Sequence, residues 1–182
     1  VNICVFGIDP GGHTGIAWGI FDPKHDDGVP GALADRMNSG SATIGGSERE
    51  QIRELADIWE SFYNLCCRDS LLPVDHVFLA VEDFVLKPGE TAGGKDSTIS
   101  LSLIWGLEGY RMGRAEQFRL TNPDAEIHVP QMHLQLASQA KAFLSKQRQK
   151  EWGVWVVGRE HERSAWAHVA LFLKRYTSQV RT

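Results

Sequence analysis

The chain opens on Asn2–Asp9 (NICVFGID), an apolar run that stops at Pro10-Gly11-Gly12. Short apolar runs bounded by turn residues read as strands. Thr14–Phe21 (TGIAWGIF) follows as a second, so the opening predicts a hairpin. Asp22–Pro30 is rich in Pro, Gly and Asp and reads as a loop, and a weakly patterned third strand is expected within Ala32–Ile44. Ser47-Glu48-Arg49-Glu50 has the spacing of a capping box. Behind it Ile52, Leu55, Trp59 and Phe62 recur at helical intervals. His76–Phe84 (HVFLAVEDF) is apolar nearly throughout, as expected of a central strand covered on both faces. Lys87–Ser97 reads as a Gly/Lys-rich loop, Thr98–Glu116 as a long helix, and Glu126–Val129 as a short strand ending at Pro130. A helix over Met132–Gln149, an extended Val154–Val157 and a last helix over Glu160–Tyr176 complete the reading.

Hairpin, strand, helix, strand, helix, strand and two helices predict an α/β layer architecture: a mixed five-stranded sheet with helices on both faces. The opening hairpin argues against a purely parallel sheet. With 182 residues the chain has room for one domain, taken as 1–182, and it shows no internal repeat. Its apolar runs fall far short of the roughly 20 residues that cross a bilayer. No basic segment followed by an apolar stretch opens the chain, so the expectation is a cytoplasmic protein without membrane contact. Cys4, Cys66 and Cys67 have no metal-ligand spacing and read as reduced thiols.

Charge changes the picture through its distribution. The net charge is -4, yet residues 1–130 hold 10 Lys/Arg against 20 Asp/Glu, while residues 131–182 hold 9 against 3. A basic C-terminal surface is compatible with a phosphate-bearing partner, and equally with well-solvated helices.

Three stretches carry candidate chemistry. In Gly7-Ile8-Asp9-Pro10-Gly11-Gly12-His13-Thr14-Gly15 an acid ends a strand and glycines follow. Rigid support on a strand suits a metal ligand, although Asp-Pro-Gly also builds plain turns. Glu82 stands where the strand pattern predicts burial, which is costly for a carboxylate unless it is paired or bound to metal. Alternation sets Asp83 on the opposite face. In Arg159-Glu160-His161-Glu162-Arg163-Ser164-Ala165-Trp166-Ala167-His168, the residues His161, Ser164, Ala165 and His168 share one helical face. Such histidines either ligate a metal or pack as hydrogen-bonded core residues.

Taken in order, IDPG with a following glycine, VED in a central strand, and HERSAWAH opening the last helix resemble the RuvC family of Holliday junction resolvases. The phage-encoded members are the most similar, through the GGK loop and WG-x-EG helix. The resemblance implies an RNase H-like fold and a divalent-metal-dependent endonuclease that resolves four-way or other branched DNA. It implies Asp9, Glu82 and His161 as catalytic residues, and these with His168 as ligands of two Mg²⁺ or Mn²⁺ ions. Lys87, Lys95, Arg159 and Arg163 are the implied DNA contacts. A homodimer in the cytoplasm, the host's for a phage-encoded chain, completes the expectation. The family's last Asp is Ser164 here, a poorer Mg²⁺ ligand than a carboxylate, with Glu160, Glu162 or His168 as candidate replacements. That departure keeps open a catalytically impaired, junction-binding relative; an RNA-processing nuclease of the same fold is a further alternative. Asp9–Gly15 also resembles the first phosphate loop of sugar kinases and actin-like ATPases, but no second such loop is present. Gly106, Gly109 and Gly113 interrupt the long helix and point to a close helix contact, with the sheet or with a second subunit.

Overall fold

The structure is a computed structural model describing residues 2–22, 39–64, 75–83, 95–121, 123, 130–155 and 157–180; for residues 62–64, 95–98, 118 and 180 the backbone alone is described. Five strands, β1 (Ile3–Asp9), β2 (Thr14–Phe21), β3 (Ser39–Ile44), β4 (His76–Asp83) and β5 (Gln131–Leu136), form one sheet in the order β3-β2-β1-β4-β5. β1 pairs antiparallel with β2 and parallel with β4; β3 joins β2 antiparallel and β5 joins β4 parallel. The helices are α1 (Glu48–Asn64), α2 (Lys95–Thr121), α3 (Ala137–Phe143), α4 (Lys146–Glu151) and α5 (Glu160–Val180). This is the mixed α/β arrangement that the order of elements predicts, and it is consistent with the RNase H-like fold that the resemblance implies.

Strand alternation divides the core in two. Cys4, Phe6, Ile8, Val77, Leu79 and Val81 point to one face and pack with Leu55 and Trp59 of α1 and Ile104 and Leu107 of α2. Ile3, Val5, Phe78 and Ala80 point to the other, against α5 through Ala165, Val169 and Phe172 and against α3 through Ala140. A central strand apolar on both faces is what a sheet covered on both sides requires. α1 starts where the capping box places it: Glu50 Oε2 accepts from the Ser47 backbone N–H (2.7 Å) and hydroxyl (2.6 Å). Among the described residues no helix is long and apolar enough to cross a membrane.

The chain departs from the expected elements after Pro130. The fifth strand is Gln131–Leu136, beginning where a helix was predicted, and the rest of that predicted helix is split into α3 and α4. Gln, Met, Leu and Ala favour helix locally, but the open edge of β4 offers six pairing positions, from Phe78↔Gln131 to Asp83↔Leu136, and pairing prevails. The break between α3 and α4 follows from Leu144, which is buried, and Ser145, whose side chain caps α4 by accepting from the Arg148 N–H. Lys95–Ser97 belong to α2 rather than to a loop, and Val154 and Trp155 lie in no strand. The predicted strand Glu126–Val129, the loop residues 87–94, and Cys66 and Cys67 lie outside the described residues; Cys4 is a buried free thiol. Of the three α2 glycines, Gly106 has a contact to explain it, since a Cβ there would meet Ile52 of α1 at 3.1 Å. Gly109 and Gly113 have open space instead.

Candidate active site

Sheet register assembles the acids. Ile8 pairs with Val81 across parallel β1 and β4, so Asp9 and Glu82 leave the same ends of neighbouring strands. Adjacent strands lie about 4.8 Å apart. Both side chains share the face of Val5 and Phe78, which α5 covers. The consequence is electrostatic crowding. Asp9 is pushed up to about 8 by burial first, then by the hydrogen bond and charge of Glu82, with Lys141 and Ser164 pulling weakly the other way. Glu82 behaves oppositely. Burial is its largest single influence and raises it, but hydrogen bonds from His168 and Asp9 and the charges of His168 and Lys141 together hold it below the usual carboxylate range. Two acids of one site with divergent affinities for a proton is a common mark of functional chemistry.

α5 can reach these acids because two strand positions lack a side chain. A Cβ at Gly7 would fall 2.1 Å from Ala165 O, and one at Gly15 would fall 2.1 Å from His161 O. Neither is sterically possible, so both positions require glycine if the helix is to lie on the backbone of β1 and β2. Gly15 then sets the first turn of α5 over the site. His161 Nδ1 comes to 3.3 Å from Asp9 Oδ2, and one ring, His13, stacks on His161 at 6.0 Å between centroids. Two turns further, fully buried His168 Nε2 donates to Glu82 Oε2 (3.2 Å), while its Nδ1 lies 3.1 Å from Gln135 Oε1. Gln135 is the register partner of Glu82 on β5. Buried Ser164, between the two histidines, has a hydroxyl without a hydrogen-bond partner of ordinary geometry, although it lies beside Asp9.

Asp9, Glu82, His161 and His168 are therefore brought together, in two carboxylate–imidazole pairs. Glu162, one of the candidate replacements for the absent acid, is engaged elsewhere. Its oxygens accept from Ser41 Oγ (2.5 Å) and Thr43 Oγ1 (3.1 Å) of β3 and from Arg159 Nη1 (3.3 Å). Glu160 is exposed at the start of α5. Arg159 thus pairs with Glu162, Arg163 lies over Trp155 at 4.3 Å, Lys95 opens α2 with its side chain outside the described residues, and Lys87 is outside them altogether.

Four contributors were not foreseen. Gln51 of α1 is fully buried and pins the β1–β2 turn: it accepts from Thr14 Oγ1 (2.7 Å) and donates to Gly12 O (3.0 Å) and Gly46 O (3.3 Å). Its signal was a polar residue on the apolar stripe of Leu55 and Ile58. Ser100 of α2 donates to Pro10 O (2.8 Å). Gln135 was hidden by the helical reading of its segment. Lys141 of α3 acts on both acids through its charge, with no local pattern to reveal it.

The donor set is compatible with a divalent cation in one respect and short in another. Two crowded carboxyls with the buried Ser164 hydroxyl beside Asp9 form a polar cluster whose crowding a cation would relieve. Yet among the described residues no three His, Cys, Asp or Glu side chains converge as a ready-made metal site. Compared with known proteins, the chain matches no family model and no curated sequence.

Proposed function

We propose that this chain is a RuvC-like, divalent-metal-dependent nuclease that cuts branched DNA as a homodimer. The observation that carries the reading is the side-by-side placement of Asp9 and Glu82 at the ends of adjacent parallel strands, where Asp9 is pushed up to about 8. Asp9, Glu82 and His161 are the residues that would hold Mg²⁺ or Mn²⁺, with imidazole favouring the latter. Such an ion, when bound, activates water and stabilises the leaving oxygen of a phosphodiester. The chain's own part is positional. His168, held by Gln135, orients one Glu82 oxygen, and Gln51 and Ser100 fix the turn behind Asp9. Lys141 of α3 acts on both acids through its positive charge, which would also favour a substrate phosphate. The exposed α2 face with Trp105 (71% exposed) and Met112 (53%), beside open Gly109 and Gly113, suits a second subunit.

The test is cleavage of a labelled four-way junction in Mg²⁺ and in Mn²⁺ by the wild type and by Asp9→Asn. Paired symmetric nicks, lost in the variant, are expected. A second reading, a junction-binding relative without catalysis, is favoured by Ser164 standing where a third acid is needed and by the engagement of Glu162 with β3. Tight junction binding with no nick in either metal would establish that reading instead.

A further inference from the structure

Three cations of the C-terminal segment are gathered around one ring. Lys146 and Lys150, four apart on α4, place their ammonium groups 5.0 and 5.8 Å from the centre of the Trp155 indole. Arg163, in the first turn of α5, sets its guanidinium 4.3 Å from the same ring. All three lie within the roughly 6 Å over which an aromatic face attracts a cation. Like charges four apart on a helix repel, so the ring holds together groups that would otherwise spread. A carboxylate in the same place would neutralise them; an indole positions them and leaves their charge intact. Among the described residues neither Lys146 nor Lys150 has an acid within ion-pair distance, and Glu151, the one acid of α4, accepts from Gln147 Nε2 (2.8 Å). Both lysines are exposed.

The location adds a direction. Arg163 stands two residues after His161, the partner of Asp9, and Lys141 on α3 acts on both acids through its charge, so α3, α4 and the start of α5 each contribute a cation to the segment that serves the site. A linear polyanion whose charges recur at intervals of a few ångströms can meet several of these groups at once. We propose that Lys146, Lys150 and Arg163, arrayed on Trp155, form a platform that binds the phosphate backbone of nucleic acid flanking the Asp9–Glu82 site. This inference rests on the nuclease reading for its choice of partner.

The experiment is a titration of four-way junction DNA with wild type, Lys146→Gln/Lys150→Gln and Trp155→Phe across 50–300 mM salt in chelator, followed by cleavage in Mn²⁺. Each lost phosphate contact lowers the log–log salt slope by about 0.9 and, at 0.1 M salt, affinity by about eightfold. The double variant is therefore expected to bind up to about 60-fold more weakly, with a slope smaller by about two, while its cleavage rate at saturating DNA is unchanged. Trp155→Phe keeps an aromatic face of weaker attraction and should fall between. Lys174→Gln, at the far end of α5, controls for net charge and should match the wild type. Unchanged affinity and slope in the double variant overturn the platform while leaving the nuclease reading untouched. Salt-sensitive binding that weakens as expected, without cleavage by any form, supports the platform and removes the nuclease reading. A wild type that binds no nucleic acid overturns both.

Discussion

Asp9 with His161 and Glu82 with His168 are two carboxylate–imidazole pairs of nearly equal length, 3.3 and 3.2 Å, served by histidines seven residues apart on α5. Their surroundings differ. The His161 side chain is 44% exposed, whereas His168 is wholly buried with both ring nitrogens engaged. The acids divide the other way in exposure, Asp9 at 14% and Glu82 at 20%. Burial, then Glu82, lifts Asp9 to about 8, whereas hydrogen bonds from His168 and Asp9 outweigh burial and hold Glu82 below its ordinary range. Equal spacing and chemistry thus yield unequal roles. The closed pair is a fixed strut for one carboxylate, and the open pair leaves its acid short of a counter-charge and its imidazole within reach of solvent.

The largest effect that would sharpen this contrast is at Asp9. In chelator, the folded protein keeps a proton on Asp9 up to about pH 8, while the unfolded chain releases it near the ordinary value of 3.8. The folded state therefore binds more protons across that window, and stability falls as pH rises through it. Glu82 contributes with the opposite sign: its lowered proton affinity supports the fold above its usual range, and that support is lost on acidification. Asp9→Asn should flatten the fall between pH 5 and 8, measured by thermal melts, and reduce cleavage to background. A saturating cation at 100 times its Kd should stabilise the wild type by about 2.7 kcal/mol and leave the variant unmoved. A metal-induced rise in Tm that survives Asp9→Asn would falsify the assignment of this acid.

Next in size is the difference between the histidines themselves. His168→Ala strips a buried partner from Glu82 and Gln135 and leaves a hole, for a loss of about 3 kcal/mol. His161→Ala removes a half-exposed ring and should cost no more than about 0.5 kcal/mol, yet abolish nicking. Chemical denaturation of the two variants in parallel checks the split; equal losses would mean that the pairs do not differ as their burial indicates. Ser164→Asp tests the polar gap between them. A third acid buried beside Asp9 and Glu82 should destabilise the metal-free protein by about 1–3 kcal/mol, through burial and the charge of Glu82, and enlarge the Tm gain in Mn²⁺. The smallest effect on nicking is expected at Gln135→Leu, a modest fall in rate as Glu82 loses the far end of its clamp, with a stability loss of about 1 kcal/mol.

How much of this was legible from residue order depends on whether the determining contacts are local. β1, β2 and β4 show themselves by short apolar runs and turn residues, and Asp9 and Glu82 stand out as acids at or near the ends of such runs. The capping box at Ser47 is complete within four residues, and it formed as predicted. β5 was missed for the opposite reason. Leu134 and Leu136 are 50% and 38% exposed while Gln135 between them is buried, so its pattern is inverted relative to an ordinary half-buried strand. What makes it a strand is the edge of β4, distant in sequence. Lys141 and Gln135 were lost with it, since their relation to the acids exists only once that edge is paired. The turn at Pro10–Thr14 was readable, but its anchors Gln51 and Ser100 come from helices about 40 and 90 residues downstream.

Gly7 and Gly15 make α5 a rod resting on two bare points of the sheet, and a rod on two supports can be tilted by shimming either one. Gly15 lies beneath the His161 carbonyl and Gly7 beneath that of Ala165, one turn further along. A single carbon added at 15 would lift the end that carries His161, opening the gap to Asp9 while the deeper contact acts as the pivot. The same carbon at 7 would raise the helix at Ala165 and Val169 and disturb the hold of His168 on Glu82. The separation of the two pairs is thus adjustable one atom at a time, without touching any of the four residues that form them.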